Sequence, residues 1–150
     1  MKKALGITGI IFALCVTAFL LRPRTVRAQS GCTVGSLAGS YGFNLQGNYY
    51  YVNKQGGTSF AFFGGSGRMF FDGGGNLGGS DTFSDDATIV QGNLLGSYTV
   101  NSDCTGSMNF ADAANNERFS ANFTIVNGGR EVDFVSTGTG DIITGVAKLQ

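Results

Sequence analysis

Histidine and tryptophan are both missing from the 150 residues. Without histidine, the usual general base of a hydrolytic triad and the commonest zinc ligand are absent together, so neither chemistry is expected. Helical periodicity is missing as well from Gly39 onward, where no window repeats at 3.6 residues. Basic residues are scarce beyond the N-terminus: Lys2, Lys3, Arg22, Arg24 and Arg27 lie within the first 28 positions, which leaves five basic against ten acidic residues after them, a net charge of −5. A chain with that balance has no basic stripe for phosphates, which excludes nucleic acid as an expected partner and disfavours an anionic membrane surface.

Metal-binding spacings are also lacking. The acidic segments 72–76 and 81–86 would supply oxygen ligands for calcium only by converging at one end of a fold, and neither has EF-hand or nonapeptide spacing. The glycines at 73–75 have no strand–turn–helix context, so they do not read as a phosphate loop. Asp72, Asp81, Asp85, Asp86, Asp103 and Glu131 read as solvated carboxylates in turns or on outward faces. The sequence therefore assigns no catalytic residue, no metal and no cofactor. Asn122-Phe123-Thr124 is formally a glycosylation sequon, but it falls in mid-strand.

What is present begins with a secretory signature. Lys2 and Lys3 precede an uncharged run from Ala4 to Leu21, followed by Val26-Arg27-Ala28. That order reads as a signal helix cleaved after Ala28, which places the protein in the periplasm or outside the cell with no stable membrane insertion. The alternative is a retained N-terminal membrane anchor, given the length of the apolar run. Cys15 leaves with the signal, so Cys32 and Cys104 are the remaining pair and are expected to form a disulfide in an oxidising compartment. The competing reading is a lipid-modified Cys32 after Ser30-Gly31. The domain plan is a signal peptide at 1–28, a segment at 29–38 tethered by Cys32, and a β domain at 39–150.

Alternation carries that domain. Tyr41, Phe43 and Leu45 alternate with Gly42, Asn44 and Gln46 and lead into Tyr49-Tyr50-Tyr51. Phe60–Phe63 and Arg68–Phe71 read as one long kinked strand through Gly64–Gly67, and Asp72–Asn76 as a tight turn before a strand at 77–83. Ser84–Asp86 is read as a connection, Thr88–Gln91 as a short separate strand, and Gly96–Ala111 as a hairpin turning at 101–103 with Cys104 opening its second arm. A polar loop at 112–116 follows. Phe119–Val126, the strand around Val132 and Phe134, and Ile142–Leu149 complete eight or nine strands. An antiparallel meander of this kind, rich in glycine, closes most readily into an eight-stranded barrel, with a β-sandwich as the alternative.

The motifs Gly39-Ser-Tyr-Gly-Phe, Phe71-Asp-Gly-Gly-Gly-Asn-Leu, Gly96-Ser-Tyr-Thr-Val-Asn-Ser-Asp-Cys-Thr-Gly, Gly128-Gly-Arg-Glu-Val and Thr144-Gly-Val-Ala-Lys-Leu-Gln resemble those of uncharacterised small secreted bacterial β-barrel proteins. The resemblance covers essentially the whole chain after the signal. It implies a calycin-like architecture, of the lipocalin and allene oxide cyclase type. No motif matches the catalytic positions of allene oxide cyclase, and the lipocalin Gly-x-Trp motif is absent. Fold alone assigns no activity.

Alternation points Tyr41, Phe43, Leu45, Met108, Phe110, Phe119, Phe123 and Phe134 inward. They either fill the core or line a ligand cavity. The consecutive Tyr49, Tyr50 and Tyr51 put at least one ring on the surface. The leading expectation is a non-enzymatic secreted barrel for a small apolar ligand or a protein partner. A structural, self-associating surface protein, with a homo-oligomer as its form, is the second, and a cofactor-free isomerase of the allene oxide cyclase type the third.

Overall fold

The computed structural model describes residues 31–85, 88–112 and 118–150. The expected signal peptide at 1–28, with its expected cleavage after Ala28, lies outside them. Eight antiparallel strands follow in order: β1 (Ala38–Val52), β2 (Thr58–Asp72), β3 (Asn76–Asp85), β4 (Thr88–Val100), β5 (Thr105–Asp112), β6 (Arg118–Val126), β7 (Glu131–Ser136) and β8 (Asp141–Leu149). Each pairs with the next, and β1 also pairs with β8, so the sheet closes into a barrel and the sandwich alternative falls. Among the described residues every strand then has a partner strand on each side.

Three readings of the chain are corrected. Thr88–Gln91 is no separate strand, because β4 runs unbroken through Gly92 and Asn93, which hold ladder positions opposite Asp81 and Ser80. Ser84 and Asp85 continue β3 and Asp112 ends β5, so both strands run further than expected; Asp86 and the rest of the loop expected at 112–116 lie outside the described residues. Cys104 does not open β5. Its φ of 68° is left-handed, which ends the turn and delays the strand to Thr105. The kinked strand expected at 60–71 is found as the continuous β2.

One end of the barrel is closed by the segment at 31–37. The Cys32–Cys104 disulfide and a bond from the Cys32 N–H to Ser102 O (3.1 Å) fix it to the β4–β5 turn, which excludes the lipid-modified reading for Cys32 in this state. Leu37 is fully buried against the core. The Tyr98 hydroxyl lies 2.9 Å from Leu37 O and 3.2 Å from Val34 O, and it accepts the Gly73 N–H at 3.0 Å. The Tyr41 hydroxyl donates to Gly129 O. Gly129 has a φ of 88°, and a Cβ there would stand 2.6 Å from Ser36 O, so only glycine fits where the floor meets the β6–β7 turn. Burial pushes the Tyr41 phenol up, with the neighbouring Tyr98 adding to it, and burial does the same for Tyr98. Both hydroxyls remain donors at neutral pH.

The turns at this end are held by carboxylates. Asp72 accepts from Asn76 Nδ2 and from the amides of Gly74 and Asn76, and these bonds hold its carboxyl below the usual range. Asp103 does the same through the Thr105 hydroxyl and amide.

Replacing Tyr98 with phenylalanine removes the one hydroxyl that joins floor, β2–β3 turn and barrel wall. The expected cost is about 1 to 3 kcal/mol, because the Leu37 carbonyl loses the hydroxyl as donor and the Gly73 N–H loses it as acceptor. Urea unfolding measures it, and a loss below about 0.5 kcal/mol would mean the floor is held without this brace.

Candidate functional site

Inward positions follow strand parity, and their sizes divide the interior into two halves. Towards the floor, Tyr41, Phe71, Tyr98, Met69, Met108 and Val132 are each at most 3% exposed. Tyr41 and Tyr98 meet Phe71 edge-on, at ring separations of 5.3 and 4.9 Å. Glycines here receive rings rather than leave gaps. A Cβ at Gly106 would stand 2.3 Å from the Phe123 ring, and one at Gly145 would stand 2.3 Å from the Phe134 ring.

Towards the other end the packing opens. Leu45 faces Gly65 on β2 and Gly145 on β8, Gly47 faces Phe63 and Ile143, and Gly96 faces Phe110. In this half lies a cavity of about 240 Å³. Its apolar wall is Leu45, Phe63, Phe83, Leu94, Phe110, Phe119 and Ile143. The Phe63 and Phe83 rings stand 5.0 Å apart, as do those of Phe110 and Phe119. Phe119 also meets Phe134 edge-on at 6.3 Å, so it forms the boundary between the hollow half and the packed half.

Four polar side chains share the cavity: Tyr49, Asp81, Arg118 and Asp141. Arg118 and Asp141 are the first residues of β6 and β8 and stand at the rim. Asp81 lies deeper on β3, with a buried Oδ1. Its neighbours across the sheet are Gly67 and Gly92. The expectation that Asp81 faces outward is corrected by its parity with Leu77 and Phe83. The calcium arrangement fails as well, since Asp72 adjoins the floor while Asp85 ends β3 at the mouth.

Of the eight residues expected to point inward, Leu45, Phe110 and Phe119 line this cavity. Tyr41, Phe43, Met108, Phe123 and Phe134 belong to the packed core. Sequence reasoning missed Tyr49, Phe63, Asp81, Phe83, Leu94, Arg118, Asp141 and Ile143. The signal for most of them was the continued alternation of their own strands: Tyr49 extends the series 41, 43, 45, and Asp81 falls between Leu77 and Phe83.

The outer wall carries two wider depressions of about 690 Å³ each, open to solvent. One crosses β5–β7 over Ser107, Asn122 and Thr124, and the other crosses β8–β1–β2 beside Phe62 and Ile142. Tyr50 and Tyr51 are exposed, as expected for the tyrosine triplet, while Tyr49 turns inward. Tyr50, Phe60 and Phe62 form an outer row with ring separations of 6.5 and 5.4 Å. Compared with protein-family models, curated proteins and solved structures, the chain matches none of them.

Proposed function

We propose that the protein is a non-enzymatic binder of a small, mainly apolar molecule, held in the mouth-side half of the barrel. The observation that carries this reading is the asymmetric interior, packed over the floor and hollow at the mouth. Such a cavity of apolar walls with a few polar groups is the usual form of a ligand site. At about 240 Å³ it is smaller than the roughly 300 to 1,000 Å³ of drug-sized sites. The ligand is therefore about the size of a substituted single ring, and long-chain fatty acids and retinoids are too large. In this reading the protein is exported and acts outside the cytoplasm, in keeping with its disulfide. Kinship with calycin-type barrels is part of the same proposal.

A one-ring probe such as 2-phenylethanol is expected to bind with about 4 to 6 kcal/mol, millimolar to tens of micromolar. Leu45→Trp, which puts an indole into the cavity that Leu45 lines, should abolish binding while the fold is retained. Titration calorimetry and amide shifts measure both. Probe binding that survives Leu45→Trp, or that perturbs only outer-wall amides, overturns the reading.

The exposed row of Tyr50, Phe60 and Phe62 favours a second reading, self-association through the outer wall. Phe62, at 70% exposure, is its most prominent member. Sedimentation of wild type beside Phe62→Lys tests it, and a wild-type monomer at all concentrations removes it. The isomerase reading gains no residue in a catalytic role.

A further inference from the structure

We propose that the outer wall over β8, β1, β2 and β3 binds a neutral oligosaccharide. This goes beyond the cavity reading and does not rest on it. The barrel register lays the outward residues of these strands side by side in cross-strand rows. One row is Ile142, Asn48 and Phe62, and the next is Thr144, Gln46, Gly64 and Ser84. Both rows line the depression beside Phe62. A third row, Val146, Asn44, Ser66 and Thr82, extends the same face, with a depression of about 260 Å³ over Asn44 and Val146. Every residue in the three rows is uncharged, and the cations nearest to them on these strands, Arg68 and Lys148, come one row later, opposite Gly42.

Gly64 makes the opening. Its φ is not left-handed, and a Cβ there would meet only Leu45 O, at 3.9 Å, so neither backbone conformation nor crowding requires a glycine. What the missing side chain leaves is a gap about 10 Å wide between Gln46 and Ser84, two strand spacings apart. Phe62 bounds the gap on the same strand; its side chain is 70% exposed, and Phe60 braces its ring at 5.4 Å and nearly a right angle. A sugar ring has a face of C–H groups and an edge of hydroxyls. The face packs on a phenyl ring, whose negative π surface attracts C–H dipoles, and the edge needs partners that both donate and accept, as side-chain amides and hydroxyls do. Over β4–β6 such groups satisfy one another, Thr99 with Ser107 and Ser120 with Asn109. Among the described residues no such bond ties up Gln46, Asn48 or Thr144. An ionic ligand would find no countercharge on these rows, and a wholly apolar one would strip water from the amides without replacement.

The test is an amide-shift titration, on protein with its disulfide intact, with cellotriose, maltotriose and, as a charged control, trigalacturonate. At least one neutral trisaccharide should bind with a Kd of about 0.1 to 1 mM and move the amides around Gly64. The acidic one should bind about tenfold more weakly, since nothing on the rows replaces the hydration of its carboxylates. Gly64→Val closes the opening with a residue suited to a strand, so binding should fall by about tenfold or more while thermal melts show the fold retained. Phe62→Ala should weaken binding by about three- to tenfold, and it keeps the test decisive where Gly64→Val does not fold. Leu45→Trp, on the inner side of the wall, should leave sugar binding unchanged. Failure of both neutral sugars to move any amide at about 10 mM overturns the proposal and leaves the cavity reading intact. So does equal or tighter binding of trigalacturonate, and so does sugar binding that survives both Gly64→Val and Phe62→Ala. A wild-type dimer that Phe62→Lys dissociates, with no sugar bound, overturns it in favour of self-association.

Discussion

Phe123→Ala lowers the free energy of unfolding by about 3 to 5 kcal/mol, whereas Phe110→Ala costs under about 2. The two residues are both phenylalanines on neighbouring strands with inward side chains, so sequence alone gives them the same role. Their surroundings differ. Phe123 is 3% exposed, pairs with Gly106 and Phe134, and its ring fills the volume that the Gly106 position leaves empty. Truncation opens a void that backbone on both sides prevents from closing. Phe110 is partly buried and already borders open space, so its removal only widens a cavity that exists. Binding moves the other way. Phe110→Ala should weaken one-ring probes, which lose a wall, and Phe123→Ala should leave them nearly unchanged. Urea melts with parallel probe titrations measure both effects, and equal costs for the two variants would refute the division of the interior.

Breaking the disulfide has an effect of similar size at the opposite end. The bond closes a loop with a sequence separation of 72, and the chain-entropy model gives it about 4 kcal/mol. For a domain of this size that is on the order of 15 °C in melting temperature. Cys32→Ser and Cys104→Ser should lose it equally, since either variant frees the segment at 31–37 from the β4–β5 turn. The left-handed φ at position 104 adds a distinction: Cys104→Gly should recover part of the loss by relieving backbone strain, and Cys32→Gly should not. Probe binding should persist in the reduced protein below its melting point, because the cavity lies at the far end. Thermal melts with and without reductant decide, and a shift under about 2 °C would show that the hydrogen bonds of Tyr98 hold the floor unaided.

Most of the fold was legible because each strand states its own faces. The series 41, 43, 45 and 119, 121, 123, 125 alternate cleanly, and the turns at 73–75 and 127–129 carry the glycines that positive φ requires. Gly92-Asn93 misled, because the same two residues that make a turn in isolation sit in a ladder when Asp81 and Ser80 lie opposite them. The cavity was less legible, for a different reason. Whether Leu45 is packed or lines a space depends on where Phe63, Phe83 and Phe119 stand, residues distant in the chain that only barrel closure brings to the same cavity. Asp81 was misplaced because its charge outweighed its parity. Alternation said inward, and the cost of burying a carboxylate said outward. At position 81 parity prevails: the side chain lies on the cavity side of β3.

The seam that closes the barrel sets how the chain reaches its final form. Seven of the eight pairings join neighbours in sequence, and the eighth brings Tyr41 beside Leu149, 108 residues away. Contacts of that separation are slow to form, and until they do β1 and β8 remain open edges able to recruit another chain. The bridge between Cys32 and Cys104 shortens the search. With it in place the path from Tyr41 to Leu149 consists of nine residues back to Cys32 and 45 onward from Cys104, about half the original length. Halving a loop lowers its closure cost by about 0.6 kcal/mol, roughly a threefold gain in closing rate. Oxidation before closure therefore shortens the interval in which a newly made chain is open to aggregation, a kinetic benefit separate from the stability of the finished barrel.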